Sequence, residues 1–198
     1  ATSSTYLIVS ADIGSTLRCV VTATNAIGAT AANSANTATV TTYVGKLFMW
    51  GYNSFGNLGL GNKINRSSPV QVGALTNWEK PVNGYNFSMC VKTDGTLWSW
   101  GAGTDGRLGL GNTSYYSSPK QVGALTDWSV IKGSAVNNRF LSIKNDGTLW
   151  GWGNNVAGSI GIGNTTSYSS PKQVGSLTNW SKVSTGRSHT ISIKTNGQ

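Results

Sequence analysis

The side chains able to do chemistry are few and scattered. The 198 residues hold one histidine, His189, two cysteines, Cys19 and Cys90, and six carboxylates, Asp12, Glu79, Asp94, Asp105, Asp127 and Asp146. Nucleophile–base catalysis needs a hydroxyl or thiol beside a base that an acid orients. No Gly-x-Ser-x-Gly turn offers a serine for that role. Asp94 and Asp146 stand in Asp-Gly turns, which occupy their carboxylates locally. No carboxylates pair as in a glycosidase, and no acidic cluster suits calcium. Two thiols cannot build a zinc site, and no disulfide is expected between them. Three glycine-rich loops, Gly56-Asn-Leu-Gly-Leu-Gly61, Gly106-Arg-Leu-Gly-Leu-Gly111 and Gly158-Ser-Ile-Gly-Ile-Gly163, reverse the order of a dinucleotide fingerprint. Neither Lys-Ser/Thr nor a helix start follows them, so they read as tight turns rather than phosphate cradles. The expectation is a chain that is not an enzyme, with no catalytic residue, no cofactor and no metal.

Binding is the chemistry left. Eight tryptophans are present, and six of them recur at two fixed positions: Trp50, Trp100 and Trp152, and Trp78, Trp128 and Trp180. Regular strand faces of this kind mean core more often than a stacking platform, although the second set is expected to be half-exposed. The net charge is +9, but the bases are spread out. Lys92, Lys144 and Lys194 recur at one place, Lys120 and Lys172 at another. Such spacing reads as a solvated surface short of acids, with an anionic surface as the second reading; nucleic acid is not expected.

The spacing of these residues defines the elements that carry them. Trp50, Trp100 and Trp152 step by 50 and 52 residues, as do Pro69, Pro119 and Pro171. A chain that repeats itself at this period is an array of one supersecondary unit. Each copy reads as four short strands: the Trp-x-Trp strand, a Pro-x-Gln-Val strand, one starting near Trp78, Trp128 or Trp180, and one through Met89–Lys92, Leu141–Lys144 or Ile191–Lys194. Thr93-Asp-Gly-Thr96, Asn145-Asp-Gly-Thr148 and Thr195-Asn-Gly197 read as hairpins with type I′ turns. The two extra residues of the middle copy fall in Gly-Ser-Ala-Val-Asn-Asn, residues 133–138, expected as a loop. Four antiparallel strands in about 50 residues mark a β-propeller blade. The domains expected are 1–44, and 45–198 as three repeats, 45–94, 95–146 and 147–198.

Positions constant across the copies build the blade, and positions that vary in fixed loops are free to bind. The variable sets are Lys63–Arg66, Thr113–Tyr116 and Thr165–Tyr168, and then Asn83–Phe87, Gly133–Arg139 and Thr185–His189. Tyrosine and arginine are favoured interface anchors. The contact candidates are therefore Arg66, Tyr115, Tyr116, Arg139, Tyr168 and Arg187.

Two resemblances follow from these motifs. Leu97-Trp-Ser-Trp-Gly, Gly106-Arg-Leu-Gly-Leu-Gly-Asn, Ser117-Ser-Pro-Lys-Gln-Val and Thr93-Asp-Gly-Thr-Leu-Trp resemble the regulator-of-chromosome-condensation repeat over residues 45–198. That resemblance implies a seven-bladed propeller, and through the family a guanine-nucleotide exchange factor acting on a small GTPase. The family's Gly-x-x-His-Ser/Thr stands at Gly186–Thr190; Phe87 and Arg139 hold the matching histidine position. Residues 1–44 carry strand-like runs at Thr5–Val9, Leu17–Thr24 and Thr37–Val44, with turns between them. With Asp12, Gly14, Cys19 and Val-Thr-Ala-Thr-Asn, they resemble the last strands of a bacterial immunoglobulin-like domain.

The fold class expected is all-β: propeller blades preceded by partial immunoglobulin-like strands. Three repeats cannot close a propeller of four to eight blades. Completion is expected from further blades of a longer chain or from an oligomer. The function expected is a non-enzymatic structural and binding module, placed outside the cell, on a cell surface or on a bacteriophage virion. Its partners would be a protein or a surface glycan. The alternatives are the exchange factor and a polysaccharide-binding protein. No run of 18 apolar residues marks a membrane span.

Overall fold

The computed structural model describes residues 20–25, 28–33, 45–134 and 138–195. Two units are present, Ala1–Tyr43 and Val44–Gln198. In the first, strands β1 (Val20–Asn25) and β2 (Gly28–Asn33) pair antiparallel, with Asn25 opposite Gly28. Strand β2 lies between the runs Leu17–Thr24 and Thr37–Val44, where the sequence reading had placed no strand. The expected strands Thr5–Val9 and Thr37–Val44, and Cys19, lie outside the described residues.

The second unit is all-β. Its strands are β3 (Phe48–Gly51), β4 (Arg66–Gln71), β5 (Trp78–Asn83), β6 (Phe87–Lys92), β7 (Leu97–Gly101), β8 (Tyr116–Gln121), β9 (Trp128–Ser134), β10 (Arg139–Lys144), β11 (Leu149–Gly153), β12 (Tyr168–Gln173), β13 (Trp180–Thr185) and β14 (Thr190–Lys194). They form two complete four-stranded antiparallel sheets, β5-β6-β7-β8 and β9-β10-β11-β12, and two pairs, β3-β4 and β13-β14. The four strands of one sequence repeat therefore do not make one sheet. The last two strands of a repeat join the first two of the next, so the sheets are offset from the sequence repeats by half a period. A 3-10 turn, Thr104–Gly106, lies between β7 and β8.

The hairpin turns differ in type from the sequence expectation. Lys92 N–H donates to the Thr96 carbonyl (2.9 Å) and Gly95 N–H to the Lys92 carbonyl (2.9 Å). Gly95 has φ +75°, and Asp94 is not among the positive-φ residues. The loop is thus a three-residue turn with its glycine in the left-handed region, rather than a type I′ turn. Asp94 Oδ1 accepts from Thr96 N–H (3.0 Å) and Oγ1 (2.6 Å), which locks the turn. A Cβ on Gly95 would lie 1.9 Å from the Thr126 carbonyl oxygen, so glycine is also demanded by space. The expected Asn-Gly turn of the last copy lies outside the described residues. In the middle copy β9 extends to Ser134, so Gly133 and Ser134 are strand rather than loop.

On one face of each complete sheet the core is aromatic. Trp78 meets Trp98 and Trp100 edge-on, with centroids 6.1 and 5.9 Å apart. Trp128 meets Trp150 and Trp152 in the same way, at 6.1 and 5.9 Å. Trp78 and Trp128 are buried rather than half-exposed, because each packs across its sheet on two indoles of the next repeat. Lys92 and Lys144 are buried as well, not solvated. Lys92 Nζ sits 3.8 Å from the Trp98 centroid and 4.7 Å from that of Trp78. Lys144 Nζ sits 4.5 Å from the Trp150 centroid and 3.3 Å from Asp127 Oδ2. A desolvated ammonium over an indole face gains more than an exposed one. The recurring lysines are thus part of the scaffold.

Two outcomes test this packing. Trp128→Ala removes a side chain 2% exposed; it is expected to cost about 3–5 kcal/mol in urea denaturation, and a cost below about 1 kcal/mol would contradict the cross-sheet role. Burial pushes the Cys90 thiol up from 9.0 to about 11. Between those values the unfolded chain loses the proton that the folded chain keeps, so this contribution to stability is complete below pH 9 and falls as pH rises towards 11. The wild type is expected to lose stability more steeply over that window than Cys90→Ser; parallel curves would refute it.

Candidate interaction face

The two kinds of variable loop meet at one end of the sheets. Register shows why. Phe87 pairs with Gly101, and Gly101 with Tyr116, so the β5–β6 loop and the β7–β8 loop emerge side by side. Ala102 N–H donates to the Asn86 carbonyl (2.9 Å), and one blade on, Asn154 N–H donates to the Asn138 carbonyl (3.1 Å). Alternate hairpins of an antiparallel sheet must share an end, and the turns at 93–96 and 145–148 occupy the opposite one.

The long loops at this end are held from within. Asn53 is fully buried; its Nδ2 donates to the carbonyls of Asn62 (3.0 Å) and Ile64 (3.1 Å), and its Oδ1 accepts from Leu58 N–H (2.8 Å). Asn155 repeats the pattern with Asn164 (2.9 Å), Thr166 (3.1 Å) and Ile160 (2.9 Å). In the middle copy Gly103 takes this place, where a Cβ would lie 1.9 Å from the Ser114 carbonyl oxygen. The backbone of each loop is thus fixed, and the side chains it displays need little ordering on contact.

The candidate residues fall into different settings. Tyr115 is 46% exposed; its hydroxyl lies 3.0 Å from Thr104 Oγ1 and its ring 6.0 Å from that of Phe55. Tyr116 and Tyr168 are half-buried, and their hydroxyls accept from Asn112 Nδ2 (3.2 Å) and Asn164 Nδ2 (3.2 Å). Arg66 is half-buried at the start of β4, and Arg187 is exposed in the β13–β14 loop. Arg139 differs from the rest. It is 1% exposed, and its guanidinium donates to the carbonyls of Arg187 (2.8 Å), Gly186 (2.9 Å) and His189 (2.8 Å). Burial lowers its proton affinity. Arg139 is therefore a clamp on the next repeat's loop, not a contact residue, because it is buried and both terminal nitrogens are spent on backbone oxygens.

Other residues at this end escaped the sequence comparison. Tyr85 is 79% exposed, Ile64 is exposed, and Tyr52 is exposed beside Phe55. The rings of Tyr52, Phe55 and Tyr115 form a chain with centroid spacings of 6.2 and 6.0 Å. Tyr85 lies within a variable set and was there to be found; Tyr52 lies outside every such set. Lys63, Arg66 and Arg187 make the face basic, while its Asp105 is engaged by Arg107 (3.8 Å) and Asn138 (3.1 Å). No group of three or more His, Cys, Asp or Glu side chains able to hold a metal occurs among the described residues. No helix among them is long and apolar enough to cross a membrane.

Comparison with known proteins gives the family. Residues 44–91, 94–135 and 146–193 match the regulator of chromosome condensation (RCC1) repeat. The ultraviolet-B receptor UVR8 of Arabidopsis thaliana is 33% identical over 168 residues, 82% of this chain and 38% of that one. Human WBSCR16 superposes with a TM-score of 0.63 at 22% identity, covering 80% of this chain and 42% of that one. Prp20p of Saccharomyces cerevisiae, described by its binding to Gsp1p and histones, superposes with a TM-score of 0.65 at 22% identity, over 77% and 40%. The chain thus spans about two fifths of the length of these relatives. These matches overturn the location expected from composition. Relatives described by chromosome condensation and by histones work inside cells, not outside them, on a cell surface or on a virion. With its family matches falling on the very strands that build the sheets, the chain belongs to the RCC1-repeat family of β-propellers.

Proposed function

We propose that this propeller segment is a protein-binding module whose contact face is the loop end, and that the partner class it suits is a small GTPase, with guanine-nucleotide exchange as the activity. The observation that carries it is the convergence of both variable loop sets, with exposed Tyr52, Ile64, Tyr85 and Tyr115, on one rigidly held end. Aromatic side chains on a preorganised surface with a basic rim are the composition of an interface. The family match supports the partner class, as does the relative described by its binding to Gsp1p. Exchange acts through binding and asks no covalent chemistry of the propeller. A basic partner such as a histone is disfavoured by like charge, since this chain carries +9. In this proposal residues 1–44 remain an immunoglobulin-like segment, supported by the β1–β2 hairpin.

Two measurements test the face. With a panel of small GTPases loaded with fluorescent guanine nucleotide, the chain is expected to bind at least one and speed nucleotide release. Tyr115→Ala and Tyr85→Ala should each weaken binding about fivefold or more. Leu125→Ala, at the opposite end, should leave it unchanged. Loss with Leu125→Ala alone would place the contact elsewhere. Arg139→Lys keeps the charge but cannot reach three carbonyls at once. It is expected to cost about 1–3 kcal/mol and to raise amide exchange in 186–189; unchanged exchange would contradict the clamp.

A further inference from the structure

A groove recurs where neighbouring sheets meet. Between the two complete sheets it measures about 290 Å³ and is walled by Leu125, Trp128 and Trp150. Between the β3–β4 pair and the β5–β8 sheet it measures about 490 Å³, with Leu75, Trp78 and Trp98 at the equivalent places. Its presence between two complete sheets makes it a product of the way blades meet. The larger copy differs in what else lines it, because Asn62, Arg66 and Val70 reach it. Register gives the counterparts of the last two. Arg66 and Tyr116 lie opposite Gly51 and Gly101, and Val70 and Lys120 lie opposite Met49 and Ser99. Tyr116 packs against the core and Lys120 Nζ lies 5.8 Å from its ring centroid, so neither lines the smaller groove.

We propose that the larger groove is a binding site for a small amphiphilic monocarboxylate, with its carboxylate on Arg66 and its apolar body along Val70, Val72, Leu75 and Trp98. The charge argument is specific. Among the described residues Arg66 is the one charged residue of the lining, and no Asp or Glu lines it. Its guanidinium forms no ion pair with any described residue, and its buried Nε has no hydrogen-bond partner there. The described acids are engaged elsewhere: Glu79 by Lys80, Asp105 by Arg107 and Asp127 by Lys144, with Asp94 and Asp146 held by Thr96 and Thr148. A planar guanidinium fork matches a carboxylate through two parallel hydrogen bonds. One such cation balances one negative charge, which favours a carboxylate over a phosphate dianion.

The walls supply the rest. Trp78, 5% exposed, lines the groove, and its Nε1 has no partner among the described residues. A buried donor without an acceptor is costly, and a ligand that brings acceptors alone relieves it. The remaining large side chains of the lining are apolar, so the body of the ligand is apolar as well. The volume falls inside the range of small-molecule sites, roughly 300–1,000 Å³. The site stands apart from the loop-end contact, and its occupancy is read without any GTPase.

The probe is 4-phenylbutyrate, added to the 198-residue chain and followed by calorimetry and by the indole N–H resonances of Trp78 and Trp98. One molecule is expected to bind, with a Kd of about 1 mM or tighter, and to shift both resonances. The amide of the same acid, which lacks the charge, should bind about tenfold more weakly. Arg66→Gln should weaken binding of the acid to the same degree. Arg66→Tyr with Val70→Lys writes the middle copy's residues into the groove. That pair should abolish binding without lowering thermal stability, since the fold already accommodates it at Tyr116 and Lys120. Lys172→Ala removes an exposed charge away from the groove and should leave binding unchanged. No saturable binding in the millimolar range, equal affinity for the amide, full binding by Arg66→Gln, or a loss with Lys172→Ala as large as that with Arg66→Gln would each overturn the proposal.

Discussion

The pairing of β6 with β7, and of β10 with β11, is the interaction on which the rest of the propeller depends. Each of these ladders crosses a repeat boundary. The fourth strand of a repeat is buried on both faces and cannot be covered by its own repeat. Val91 and Ile143 are covered because the next repeat delivers both a strand to pair with and a blade to pack on; Ile193, without that neighbour, is not. Full burial of such a side chain contributes about 1.5–3 kcal/mol, so a repeat standing alone forfeits several such contributions. This is the nearest-neighbour logic of repeat proteins, in which the interface between units carries much of the stability.

The second constraint is aromatic. An indole from each repeat is wedged edge-on against two from the next, with a lysine ammonium laid across them. The lysine covers indole faces with its stem and head and leaves its charge near an acid or the blade's end. A part of the chain's large positive charge is consequently structural. Other positive charge is placed at the loop end, by Lys63, Arg66 and Arg187. The scaffold and the recognition surface are thereby separated: constant residues face between sheets, variable ones crown one end.

Much of the architecture was legible in the residues. Trp50, Trp100 and Trp152, the three prolines and the Asp-Gly turns announce short antiparallel strands at a fixed period, and the strands fall where those residues place them. The phase of the sheets was not legible, because a periodic sequence has no origin: any cut through the repeat is equally regular, and only pairing selects one. Arg139 was misread for a related reason. It replaces Phe87 and precedes His189 in the series, which looks like drift in a loop, yet its three carbonyl partners come from 47 to 50 residues away. Asn53 and Asn155 were overlooked because Gly103 stands between them in the alignment of copies and hides a shared role in folding the loop. Location was misjudged because composition reports on strand and turn content, not on compartment.

The central claim is that blades are shared between consecutive repeats. Amide hydrogen exchange addresses it most directly, strand by strand. The ladders β6–β7 and β10–β11, which join one repeat to the next, should be protected to the level of global unfolding. Exchange of β6 and β10 by local opening, well ahead of β5 and β9, would contradict the account.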